Sequence, residues 1–140
     1  MFKKVLIPVD LNVAGDAQRL LSRAKPLVEP WGSELHVVTV IPHVGMAIVG
    51  SYFDENFESE SRKEAAKQLA SEVSAAGFEA QQDVLTGKIY DCVIAKANAI
   101  DADLIIIGAH QPELREYLLG SNAARVVRHS KQSVLVVRGD

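Results

Sequence analysis

Apolar positions along the 140-residue chain come in two rhythms that alternate. Short unbroken apolar runs mark strands, and apolar residues three and four apart mark helices. The first run, Phe2 to Pro8 with Val5, Leu6 and Ile7 at its centre, predicts a strand. Ala17, Leu20, Leu21, Ala24, Leu27 and Val28 then fall at helical spacing over 15–29. Pro26 lies inside that pattern and predicts a kink or an early end. A break at Trp31-Gly32-Ser33 precedes a second strand, Leu35 to Ile41, closed by Pro42.

Residues 43–58 have no clear period and are read as a long loop or flap. The next helix is expected to begin near Ser61, where Ser61 and Glu64 have capping-box spacing. Ala66, Leu69, Val73 and Ala76 are its expected inner face, and Gly77 its end. Ala80 to Leu85 predicts a third strand, 90–100 a helix with Val93, Ala97 and Ile100 inward, and Leu104 to Ile107 a fourth strand. Ser121 to His129 predicts a fourth helix and Ser133 to Val137 a fifth strand. Strands that are apolar throughout and separated by helices argue for one α/β domain over 1–140, an open parallel sheet covered on both faces.

Composition narrows the function classes. The net charge is −3 and no basic cluster stands out, so nothing points to a nucleic-acid partner. No apolar run approaches the ~20 residues of a membrane span. The apolar start is cut by Pro8 and Asp10 without a cleavage site, which argues against export. The single cysteine, Cys92, cannot form an internal disulfide and reads as a small buried residue. Together these features favour the cytoplasm.

In an open parallel sheet, ligands bind beyond the carboxyl ends of the strands, where the strand order reverses. Asp10 ends the first strand. Its carboxylate either accepts hydrogen bonds from a ligand or caps the following turn. Gly120-Ser121 opens the last helix, and free first-turn amides make such a terminus an anion site; the plainer reading is a Ser cap after a glycine turn. His110 and Arg115 in the preceding loop, and Arg125 and Arg128 in the helix, are either phosphate partners or solvated surface residues. His36, His43 and His129 lack metal-site spacing. There is no Walker loop, no Gly-x-Gly-x-x-Gly after the first strand, and no nucleophile elbow at Ser121.

Three stretches, "KKVLIPVD", "LHVVTVIP" and "ADLIIIGAH…LLGSNAARVVRHSKQSVLVVR", resemble the universal stress protein family over essentially the whole chain. The form of the last stretch is similar to the F and G type of bacterial members. The resemblance implies a Rossmann-like five-stranded parallel sheet of order 3-2-1-4-5 with four flanking helices. It also implies an adenine nucleotide, ATP or AMP with or without Mg²⁺, between strands 1 and 4. Carried over to this chain, the adenosine end falls on Pro8, Val9, Asp10 and Val40. The ribose and phosphates fall on Ile107, Gly108, His110, Gln111, Gly120, Ser121 and Asn122. Gln111 stands where the family loop has its second glycine, and the loop is one residue short. The implied role is stress response or signalling, without catalytic residues and with slow ATP hydrolysis at most. The resemblance further implies a homodimer through Val134, Leu135, Val136 and Val137, with an unidentified protein partner. The alternative reading is a dimeric interaction module with a vestigial pocket. An adenylating ligase would need further signature loops and a substrate domain.

Overall fold

Five strands form one all-parallel sheet in the order β3-β2-β1-β4-β5. In chain order the elements are β1 (Lys4–Pro8), α1 (Asp16–Val28), β2 (Glu34–Ile41), α2 (Glu55–Ala75), β3 (Gln81–Thr86), α3 (Ile89–Ala99), β4 (Leu104–Gly108), α4 (Ser121–His129) and β5 (Ser133–Val137). This computed structural model describes residues 1–42, 55–109 and 120–138.

The unbroken apolar runs arise because the central strands are covered on both faces. Val5, Ile7, Val37, Leu104 and Ile106 point to the side held by Leu20, Leu21 and Ala24 of α1 and Leu69 and Val73 of α2. Leu6, Val38, Ile105 and Ile107 point to the other side, against Val93 and Ala97 of α3 and Val126 of α4. Leu6, Ile7, Ile105 and Ile106 are wholly buried. Each such side chain contributes about 1.5–3 kcal/mol of transfer free energy.

Several expectations need correction. Helix α2 starts at Glu55, six residues before Ser61, so Ser61 lies inside the helix and is no cap. The early turns carry Glu58, Glu60 and Lys63, good helix formers on a solvated face that have no apolar stripe to betray them. Of the expected 43–58 loop, 43–54 lies outside the described residues. Ala65 rather than Ala66 is buried, four residues before Leu69, and Leu27 of α1 is largely exposed. Pro26 is accommodated inside α1, which runs on to Val28 and then tightens into a 3₁₀ turn, Glu29–Trp31. Among the described residues no helix is long and apolar enough to cross a membrane.

The seam between β1 and β4 is closed at one end and open at the other. At the amino end, the Asp103 carboxylate accepts from the Lys3 and Lys4 amides at 2.9 and 3.0 Å. The Asp103 amide in turn donates to the Lys4 carbonyl. Burial by itself would raise the Asp103 carboxyl, but those amides outweigh it and hold the group below its ordinary range. Register along this seam covers only Val5↔Leu104 and Leu6↔Ile105, whereas β1 pairs with β2 as far as Pro8↔Val38. The Lys3 carbonyl and the Val9 amide bond to β2, and the Lys4 carbonyl bonds towards β4. Alternation along the strand therefore turns position 8 towards β4. Proline has no N–H to give there, and pairing stops.

Candidate functional site

A crevice of about 340 Å³ lies where the two strands part. That is within the ~300–1,000 Å³ of small-molecule sites. Pro8, Val9 and Asp10 form one lip, with Val40 from the end of β2. Ile107 and Gly108 end β4 below it, and Gly120 and Asn122 form the lip opposite. Eight of the residues expected from sequence thus converge on one cavity.

Ser121, the first helical residue, is exposed and is not among the residues that line the crevice. The cap is Gly120, in extended conformation (φ −62°, ψ 155°), and among the described residues no side chain caps the helix. His110 and Gln111 lie outside the described residues, as does Arg115. Arg125 stacks over the Tyr90 ring, 5.0 Å from its centroid, and does not line the cavity, and Arg128 is exposed.

Asp10 plays the role of turn cap and also faces the crevice. Its Oδ1 accepts from the Asn12 amide at 2.8 Å, fixing the turn after β1, and the carboxylate is exposed at the crevice lip. Gln68 of α2 donates to the Leu11 carbonyl at 3.3 Å, so the turn is also tied from outside.

Three helix N-termini reach the crevice, and they differ in charge; α3, whose first residue Ile89 lines the wall, has Asp91 in its first turn. Helix α1 has Asp16 in its first turn, on the crevice wall and paired with Arg19 at 3.5 Å. Its dipole already has a carboxylate. Helix α4 has no acidic residue in its first turn. Its first intrahelical bond runs from the Ala124 amide to the Gly120 carbonyl at 2.9 Å, which leaves the amides of Ser121, Asn122 and Ala123 without a helical acceptor. Helix α4 is therefore the terminus suited to an anion. The wall between the lips is apolar: Ile89 and Val93 from α3, Ala123 and Val126 from α4.

Asn12, Asp16, Gly87, Ile89 and Val93 were not anticipated as site residues. Gly87 had a legible signal, as the residue that ends β3 beside the other strand ends. It adopts φ +139°, and an added Cβ would sit 3.1 Å from the Cys92 sulfur. Gly108 differs. A Cβ there would make an ordinary 3.9 Å contact with Leu20. Cys92 is half-buried and donates to the Thr86 carbonyl at 3.5 Å. Burial, then the neighbouring Asp91, raises its thiol pKa, so it is a protonated donor. Far from the crevice, a hydrogen bond with His36 at 2.7 Å holds the Glu34 carboxyl below its ordinary range, with help from Lys4. Among the described residues no cluster of three His, Cys, Asp or Glu side chains is arranged to hold a metal.

An open parallel sheet with helices on both faces and a crevice at the reversal of strand order defines a Rossmann-like α/β protein. Residues 1–138 match the model of the universal stress protein family, and the chain belongs to that family. Universal stress protein G of Shigella flexneri is 30% identical over 143 residues, covering 99% of this chain and 100% of that one. Among solved structures, hypothetical protein MJ0577 has a TM-score of 0.77 at 27% identity, covering 100% of this chain and 98% of that one. The universal stress protein of Archaeoglobus fulgidus in complex with dAMP has a TM-score of 0.68 at 22% identity, covering 96% of each.

Proposed function

We propose that the β1–β4 crevice binds an adenine nucleotide, and that the protein acts in stress response or signalling in the cytoplasm through the bound and free states. One observation carries the reading: Asp10 and the N-terminus of α4, which has no acidic residue in its first turn, line a single cavity. Asp10 accepts hydrogen bonds from a sugar hydroxyl or base amine, and the α4 amides receive phosphate. The apolar wall of Val93, Ala123 and Val126 suits the flat faces of a base. The dAMP complex of the Archaeoglobus fulgidus protein supports an adenine ligand in this fold.

The donor set for Mg²⁺ is thin. Asp10 uses one oxygen on the Asn12 amide, and Asp16 is paired with Arg19. Magnesium accompanying ATP would be held by phosphate and water rather than by a protein cage. Turnover is assigned as slow at most.

The test is to denature the purified protein, identify released nucleotide by mass spectrometry, and titrate AMP and ATP by calorimetry. Bound adenine nucleotide, or saturable binding in the micromolar range, is expected. An empty protein with no heat at millimolar AMP or ATP would sink the reading.

The exposed edge at β5 favours a second element, a homodimer. Val134, Leu135, Val136 and Val137 are only half-buried, although all four are apolar. Among the described residues no side chain hydrogen-bonds to their backbone, which leaves an edge able to pair with a second copy. Val136→Lys is expected to give monomers by light scattering; an unchanged dimer contradicts this interface.

A further inference from the structure

The opposite edge of the sheet is built differently. In β3, the Gly87 amide bonds to the Ile41 carbonyl of β2, so odd positions face the sheet and Gln82, Val84 and Thr86 turn their backbone groups outward. Both groups of Val84 and the carbonyl of Thr86 are taken by side chains. The Val84 amide donates to Asp83 Oδ1 at 2.9 Å, and the Val84 carbonyl accepts from Arg62 Nη1 of α2. Arg62 Nη2 donates to Thr86 Oγ1 at 2.8 Å, and the Thr86 carbonyl accepts from Cys92. Asp83 is itself held from the other face of the sheet by Lys96 of α3, at 3.0 Å. Helices on both faces thus reach around the edge strand.

We propose that Arg62 and Asp83 seal the β3 edge against strand addition, so that self-association through the sheet is confined to the β5 edge and cannot grow into an open array. A second copy docking on β3 needs the outward N–H and C=O of Val84, and both are occupied. Displacing Arg62 would leave its guanidinium and the pairing partner competing for one carbonyl. The sealing residues leave the interior alone: Arg62 and Asp83 are exposed, while Val84 is buried by its side chain. This inference rests on the fold and needs neither a bound nucleotide nor a β5 dimer.

The test replaces both seals, Arg62→Ala with Asp83→Ser, and compares the mass in solution with the parent chain over a wide concentration range. The parent is expected to hold one mass, monomer or dimer. The double variant is expected to add chains as concentration rises, at least about twofold in mass, because one new pairing edge is opened on each copy. Adding Gln82→Pro to the double variant removes an outward N–H and should restore the parent mass. Melting and circular dichroism are recorded for all three. A double variant that keeps the parent mass overturns the proposal. So does association that Gln82→Pro does not relieve, since that outcome marks unfolding rather than edge pairing. A parent chain that is monomeric would count against the β5 dimer and leave this comparison intact.

Discussion

The two ends of the β1–β4 seam do opposite things with the same two strands. At the amino end a single carboxylate, Asp103, gathers two backbone amides and locks the strands together. At the carboxyl end Pro8 has no amide to contribute, registered pairing stops at Leu6↔Ile105, and a crevice opens. On the proposed reading, stability and binding are thereby separated along one seam a few residues long. Damage to the closed end should loosen the fold, and damage to the open end should weaken the ligand while leaving the fold standing.

The largest effect is expected at the closed end. Asp103→Ala removes two hydrogen bonds to a charged acceptor and should lower stability by about 2–3 kcal/mol. That corresponds to roughly 6–10 °C in melting temperature for a chain of this size. Its pH dependence has a definite sign. The native carboxyl is held below its ordinary range, so its contribution is complete above about pH 4 and is lost as pH falls through the native value. In urea melts the gap between the parent and Asp103→Ala should narrow on acidification below that point. A gap that widens in acid would contradict the clamp.

Two glycines on the crevice come next. Gly87→Ala forces a Cβ onto a backbone at φ +139° and against Cys92, and should cost about 2 kcal/mol of stability. Gly108→Ala meets only ordinary contact with Leu20 and should stay within about 0.5 kcal/mol. Equal melting temperatures for the two variants would refute the distinction.

At the open end, Asp10→Ala should weaken AMP about tenfold, the loss of a charge-assisted hydrogen bond, and lower the melt by only about 3 °C, the share of its bond to the Asn12 amide. Calorimetry and thermal shift read the two quantities separately. The smallest effect separates the two lips. AMP should bind about fivefold tighter than adenosine, because only the phosphate meets the α4 terminus, and salt should shrink the difference. Equal affinities would remove the anion role from α4.

Much of this arrangement was legible in the sequence, for physical reasons that differ by residue. Strands buried on both faces leave unbroken apolar runs, so Val5, Leu6, Ile7 and Ile105, Ile106, Ile107 announced the central strands. Asp10 and Gly120 stood out because strand ends and helix starts carry recognisable residue types. Other features left no trace. The first turns of α2 rest on helix propensity over a solvated face, which has no period to detect. Ile89 and Val93 line the crevice with the same four-residue spacing that core residues show, so their role depends on what lies opposite. Asp16 reads as an ordinary helix-start acid until the fold sets α1 and α4 around one cavity, where its presence on one helix and absence from the other decides which end suits phosphate. The choice of Gly120 over Ser121 as cap is a matter of backbone angles that the Gly-Ser pair does not specify.

The central claim is that an adenine nucleotide occupies the opening where β1 and β4 part. The most direct measurement is a titration of ¹⁵N-labelled protein with AMP, followed amide by amide. Saturable shifts are predicted at Val9, Asp10, Gly108, Gly120, Asn122 and Ala123, with the closed end at Lys3, Lys4 and Asp103 left unmoved. No saturable shift at millimolar AMP, or shifts gathered elsewhere on the molecule, would contradict the account.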